Sequence, residues 1–226
     1  MEPTRISSFA PDRVINSFAQ FSGLRVGIIG GSFDPPHTGH LHSASLAQKN
    51  YDLDVVVFIP ANKNPLKTRG PIATNEQRLE MLSLLIEGAD DFYISTMDQD
   101  REGSSYLVDT LTTIWDELGQ GELFFICGAD QLESGSHELA HWRDKDRLFD
   151  LTKFIISARG DFKRNDIEQL DPAKYSAEQR KALLDGYMQE KPNLISSTKI
   201  RELLALGNGV DSAFPDTIYD LSLIHI

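Results

Sequence analysis

The chain has one cysteine, Cys127, in 226 residues. That excludes an internal disulfide and fits a reducing compartment, so a cytoplasmic setting is expected. No apolar run approaches the ~20 residues of a membrane span, so no membrane partner is expected either. Basic residues are scarce: 22 Lys and Arg stand against 34 Asp and Glu, a formal net charge of −12. Such a protein does not bind nucleic acid through a global field. Any anion it takes must meet a local site. The sequence also lacks G-x-G-x-x-G and G-x-x-x-x-G-K, so the dinucleotide fingerprint and the P-loop are both absent. It has no Cys and His cluster of the kind that builds structural zinc, so no protein-held metal is expected.

What is present is a soluble-protein composition, 40% hydrophobic and 25% charged, patterned as short apolar runs between helical stretches. Strands are expected at Leu24–Gly30, Val55–Pro60, Phe92–Met97, Leu123–Cys127 and Phe154–Ala158. Runs this short and this apolar suit a parallel sheet buried on both faces. Between them, Thr74 and Gln77 form a capping box ahead of Leu79, Leu82, Leu85 and Ile86. Leu107, Leu111, Ile114 and Leu118 recur at helical spacing until Gly119. The alternation predicts an α/β fold, a doubly wound, Rossmann-like parallel sheet with helices on both faces.

One domain is expected over residues 23–220. Residues 1–22 read as an extension, docked or frayed, in which Val14, Ile15, Phe18 and Phe21 share a helical face behind an Asp12 cap; an organelle-targeting segment is the alternative, and Glu2 and Asp12 speak against it. It has no apolar core of a signal peptide. Residues 161–192 are polar and mixed, and within them DPAKYSAEQRKALLDGYMQ, 171–189, reads as a helix over the sheet or as an insertion. The tail 221–226, LSLIHI, is neither a polar tail nor a capped helix and reads as foreign to the fold.

The stretch GSFDPPHTGH, Gly31 to His40, follows the first strand and opens a helix. Open α/β sheets bind their ligands at such a turn. Gly30 and Gly31 let the backbone come close to a ligand. The helix start offers unpaired N–H groups and the positive end of a dipole. His37 and His40 straddle that start, and residues three apart share a face there. Two imidazoles aimed at one point beside a helix N-terminus suit phosphate oxygens. Two histidines are too few for structural zinc.

The string ISSTKIRELLALG, Ile195 to Gly207, has Ser and Thr at a helix start with Lys199 and Arg201 behind them. Alone it is an ordinary capped helix. Beside the first string it becomes a second anion-binding helix start, with Arg201 able to grip phosphate by two donors.

GGSFDPPHTGHL together with ISSTKIR resembles the nucleotidylyltransferase superfamily. Within it, the chain closely resembles the bacterial-type nicotinate mononucleotide adenylyltransferases. PANKNPLK, REGSSYLVDTL, ICGADQL and HWRDKDRLF agree in order and spacing, and the match runs from Arg25 to Tyr219. The H-x-G-H pattern alone also fits phosphopantetheine adenylyltransferases, cytidylyltransferases and class I aminoacyl-tRNA synthetases. The double proline, the GAD string and the ISST string select against those.

The resemblance implies adenylyl transfer from ATP to nicotinate mononucleotide, giving nicotinate adenine dinucleotide and pyrophosphate in NAD biosynthesis, with Mg²⁺ bridging the triphosphate. The amide mononucleotide is the runner-up acceptor, and a non-turnover nucleotide-binding regulator is the reading from another class. Partners are then ATP and a pyridine mononucleotide; the oligomeric state stays open, a homo-oligomer included.

The implied catalytic set is His37, His40, Lys67 and Arg201, with His40 on the α-phosphate. Gly31, Ser32, Phe33, Gly128, Asp130, Ser197 and Thr198 are implied at ATP, with Asp130 accepting ribose hydroxyls or, in the plainer reading, capping a helix. Tyr106, Thr110, Trp142 and Arg159 are implied at the mononucleotide, Trp142 stacking on the pyridine or else packing in the core. Cys127 reads as inert. Two positions depart from the family pattern: Leu66 precedes Lys67 where histidine is frequent, and Leu107 follows Tyr106 where threonine is frequent.

Overall fold

The computed structural model of the chain describes residues 11–67, 69–188 and 195–206. Its strands are β1 (Val14–Ile15), β2 (Arg25–Gly31), β3 (Val55–Pro60), β4 (Phe92–Ser95), β5 (Glu122–Gly128), β6 (Lys153–Ser157) and β7 (Tyr187–Met188). They form one sheet in the order β1-β4-β3-β2-β5-β6-β7, and the pairs are parallel throughout. The helices are α1 (Thr38–Asn50), α2 (Asn75–Leu85), α3 (Leu107–Leu118), α4 (Lys145–Leu151), α5 (Arg164–Glu168), α6 (Ala177–Asp185) and α7 (Ser197–Ala205).

The strand order reverses between β2 and β5. From β2 the chain moves one way to β3 and β4, then returns past β2 to β5 and β6. The carboxyl ends of β2 and β5 therefore flank a crevice, the ligand position of an open α/β sheet.

Burial on both faces explains why the strands read as unbroken apolar runs. Along β3, Val56 and Phe58 pack with Ala44 and Ala47 of α1 and with Met81, Leu82 and Leu85 of α2. Val55, Val57 and Ile59 point the other way, into a core shared with Leu111, Ile114 and Leu118 of α3. Gly119 ends α3 with a φ of +67°. The Thr74–Gln77 capping box opens α2 as expected.

One expectation is corrected. Val14 and Ile15 form an edge strand, with Val14 opposite Ile94 and Ile15 opposite Ser95, rather than a helical face. Phe18 and Phe21 are buried, and Glu117 accepts from the Ser17 hydroxyl at 2.9 Å and the Phe18 N–H at 2.6 Å. The apolar spacing there serves a strand and a short turn, because pairing with β4 outweighs a lone helical turn. The helix expected within 171–189 is present as α6, and the same polar stretch adds the short helix α5 before it and the edge strand β7 after it. Ser176 caps α6 by accepting from Gln179 N–H at 3.2 Å. The tail 221–226 lies outside the described residues.

Candidate active site

The turn after β2 is held from behind. Asp34 is 5% exposed, and its carboxylate accepts from Ile72 N–H at 2.9 Å and Ala73 N–H at 3.0 Å. Phe33 sits in the left-handed region at φ +47°, a conformation that costs a non-glycine residue about 1–3 kcal/mol. Its ring is buried under His40, centroids 5.0 Å apart, and against Phe58 at 5.8 Å. Although Phe33 lines the cavity, its main task in the fold is to support His40.

The two histidines share a mutual geometry. The rings stack at 3.8 Å and 27°, and the His37 N–H donates to His40 Nδ1 at 3.1 Å. Nδ1 of His40 is thus an acceptor, which leaves its proton on Nε2. His37 Nδ1 is buried with no hydrogen-bond partner among the described residues. Burial first, and Arg159 second, push the His37 imidazole down to about 3. Burial, then His37 and Arg159, hold His40 well below its ordinary value. Both rings are therefore neutral at pH 7 in the ligand-free site.

Four more segments converge on the same crevice. Lys67, on the loop after β3, donates to Ser32 Oγ at 3.0 Å. Burial and the nearby Arg201 lower its pKa. Ser197 donates to the Pro35 carbonyl at 2.8 Å, and Arg201 donates to the Asp34 carbonyl and to Thr198 Oγ1. At the end of β5, Asp130 Oδ1 is buried with no hydrogen-bond partner among the described residues and lies 3.6 Å from Arg159 Nη1. Asp130 makes no helix cap, so the plainer sequence reading of it fails. A Cβ on Gly128 would press on that same carboxylate oxygen, so a larger residue there would have to displace the Asp130 side chain. The Cys127 thiol is pushed far up by burial, in keeping with an inert residue.

The crevice opens into a cavity of 590 Å³, and every residue expected from the sequence at either nucleotide lines it. Trp142 and Tyr106 belong to that lining. Trp142 stands edge-on to Phe125 at 6.0 Å, with Nε1 donating to the His137 carbonyl at 3.1 Å. Thr110 is the exception in kind. It is 1% exposed, donates to Asp98 Oδ1 at 2.6 Å and accepts from Arg101 at 2.6 Å. Its hydroxyl is committed to the wall and is not a free donor.

The wall also contains a residue that the sequence reading missed. Arg78 is fully buried on α2, donating to the Ser32 carbonyl at 2.7 Å, the Ala61 carbonyl at 2.8 Å and Asn75 Oδ1 at 2.6 Å. It ties the β2 turn to the Lys67 loop. A signal existed: Arg78 falls in register with Met81, Leu82 and Leu85, the buried face of its helix.

A family model described as cytidylyltransferase-like matches residues 28–203. A relative from Methylococcus capsulatus is 35% identical over 212 residues, covering 88% of this chain and 96% of its own length. One from Corynebacterium jeikeium is 36% identical over 194 residues, covering 84% and 93%. Both carry the name "Probable nicotinate-nucleotide adenylyltransferase".

The chain belongs to the nicotinate-nucleotide adenylyltransferase family.

Among solved structures, the Plasmodium falciparum nicotinic acid mononucleotide adenylyltransferase complexed with NaAD superposes with a TM-score of 0.68 at 18% identity. It covers 88% of this chain and 94% of that one, which shows the shared fold. The family's nucleotide chemistry suits the electrostatics here. An acidic protein gathers Lys67, Arg159 and Arg201 into one crevice, while Asp34 is neutralised by main-chain N–H groups and Arg201.

Proposed function

We propose that the chain transfers the adenylyl group of ATP to the 5′-phosphate of nicotinate mononucleotide, releasing pyrophosphate. The observation that carries this reading is the single cavity: His37, His40 and Arg201 on its phosphate side, Trp142 and Tyr106 on its aromatic side. The acceptor phosphate oxygen bonds to the α-phosphorus of ATP as the bond to the β-bridging oxygen breaks. A phosphate with a second pKa near 6 is already ionised at neutral pH, so no general base is required. Catalysis is then positioning and charge stabilisation.

His40 Nε2–H would donate to the α-phosphate as charge builds there. Arg201, Ser197 and Thr198 would hold the β- and γ-phosphates, Lys67 would close over them, and Asp130 would accept a ribose hydroxyl through its unpartnered oxygen. The described residues hold no cluster of three metal-ligating side chains, and the Asp34 carboxylate is already taken by N–H groups. Mg²⁺ would therefore ride on the triphosphate through substrate oxygens and water, neutralising charge. A cytoplasmic enzyme is the setting that fits the lone cysteine. No helix among the described residues is long and apolar enough to cross a membrane.

The deciding assay supplies ATP and Mg²⁺ with each mononucleotide in parallel and follows dinucleotide and pyrophosphate. Dinucleotide from the acid is expected, with at least a ~10-fold preference over the amide, or about 1.4 kcal/mol. Binding of ATP without pyrophosphate release would favour a regulator instead.

A further inference from the structure

The aromatic side of the cavity carries a cation with no role so far. Arg143 follows Trp142 and lines the cavity. Its guanidinium lies 4.8 Å from the centroid of the Tyr106 ring. Its Nη1 donates to Asp109 Oδ2 at 3.1 Å, with the two side chains 51% and 43% exposed. An ion pair this open to water holds its partners weakly and exchanges readily.

The other cations of the cavity are occupied elsewhere. Lys67 donates to Ser32, Arg201 to the Asp34 carbonyl, and Arg159 to the Ile195 carbonyl at 3.2 Å while facing Asp130. The Thr110 hydroxyl is committed to Asp98 and Arg101. Among the described side chains beside Trp142 and Tyr106, Arg143 is the cation that a pyridine-borne carboxylate would meet.

We infer that Arg143 sets the preference for acid over amide, its guanidinium leaving Asp109 to take the nicotinate carboxylate. The inference rests on the adenylyl-transfer reading above and names the specificity residue of that same site. A carboxylate offers two acceptor oxygens to the two donors of a guanidinium edge. An amide offers one acceptor, and its NH₂ group presents donors that arginine cannot accept. The Tyr106 ring holds the guanidinium near the start of α3 by a cation–π contact. Asp109 pairs with it there. Exchange of one carboxylate for another leaves the cation paired throughout, whereas the amide leaves the lost Asp109 bond uncompensated. That difference is the source of selectivity.

The test compares the unmutated protein with R143Q, R143K and D109N. Kinetics with each mononucleotide at saturating ATP are paired with calorimetric binding of each mononucleotide. R143Q is expected to raise KM and Kd for the acid by about 10–50-fold and those for the amide by less than ~3-fold, with kcat little changed. R143K recovers part of the loss, because a point charge lacks the fork. D109N tightens the acid by roughly 2–5-fold, since a competitor is gone. Equal losses for acid and amide would place Arg143 on a group common to both and overturn the inference, as would an unaltered ratio. Acid binding unchanged or weakened in D109N would overturn the exchange. A protein that discriminates acid from amide through Arg143 in calorimetry, yet forms no dinucleotide, would refute adenylyl transfer and leave the Arg143 assignment standing.

Discussion

Arg201 donates to the main-chain carbonyl of Asp34, a residue 167 positions earlier in the chain. The ISST helix thus grips the GSFDPPH turn directly, and Ser197 repeats the contact at the Pro35 carbonyl. The two strings form one unit, in which a single guanidinium shapes the turn and faces the cavity. Arg201→Lys keeps the charge but loses the fork. It should raise the KM for ATP by roughly 5–10-fold, while the same change at exposed Arg164 leaves it within ~2-fold. Equal KM values in the two variants would return Arg201 to the role of a capped-helix residue.

His40 presents Nε2–H because its Nδ1 is occupied by the His37 N–H. A donor placed where charge develops acts on the transition state more than on the ground state. His40→Ala should therefore lower kcat by ~10²–10³ with a much smaller change in ATP binding. Steady-state kinetics beside ATP titration separate the two effects. A near-native kcat would remove His40 from the α-phosphate.

The same burial makes the ligand-free protein acid-sensitive. The His37 pKa, near 6.5 when unfolded, is about 3 in the fold. The unfolded chain therefore binds more protons between those values, and stability falls with falling pH in that window. Its contribution is complete above 6.5 and shrinks toward 3. From pH 7 to pH 5 the loss from His37 alone is about 2 kcal/mol. Urea denaturation of the unmutated chain and of His37→Gln at both pH values should show a smaller pH dependence in the variant. Parallel pH profiles for the two proteins would mean that His37 is protonated or solvated in the fold.

Much of this is legible in the chain itself. Five strands were readable because a doubly buried strand is an unbroken apolar run, and Val55–Pro60 coincides end to end with β3. The crevice was readable because its two halves are each a local string with a helix start. The two edge strands were not. Val14–Ile15 and Tyr187–Met188 are two residues long, and so short a pair carries no period. Thr110 shows the other limit. Its position on the helix was legible, but its commitment to Asp98 and Arg101 depends on residues 12 and 9 positions away meeting in space. Spacing along a chain does not reveal which polar groups have already found each other.

Arg78 illustrates the same gap from the buried side. Among the described residues its charge has no direct carboxylate partner and its Nε no hydrogen-bond partner. Its position behind the turn adds positive potential beneath the side of the cavity that holds His37 and His40. Arg78→Met would leave the Ser32 and Ala61 carbonyls without their donor, at roughly 1–3 kcal/mol each. Arg78→Lys reaches fewer of the acceptors while keeping the charge. The expected order is a lower Tm for both, with ATP KM raised ~10-fold or more in Met and partly restored in Lys. Loss of Tm with an unaltered KM in both variants would make Arg78 a stabilising residue only.

Trp142 is fixed at one edge and lines the cavity with the rest. Its Nε1–H is satisfied by the His137 carbonyl, and Phe125 meets it edge-on. A ring held this way gives up little freedom when a flat ligand stacks on it. Base–aromatic stacking is worth about 1–3 kcal/mol, which is roughly 5- to 150-fold in affinity. Stacking does not depend on the pyridine substituent. Trp142→Ala should therefore raise KM for acid and amide mononucleotides by similar factors within that range, leave their ratio within ~2-fold, and change ATP KM little. Parallel losses with an intact ratio would separate Trp142, which holds the ring, from Arg143, which reads its substituent. A mononucleotide KM unchanged in the alanine variant would return Trp142 to plain packing against Phe125 and move the pyridine elsewhere in the cavity.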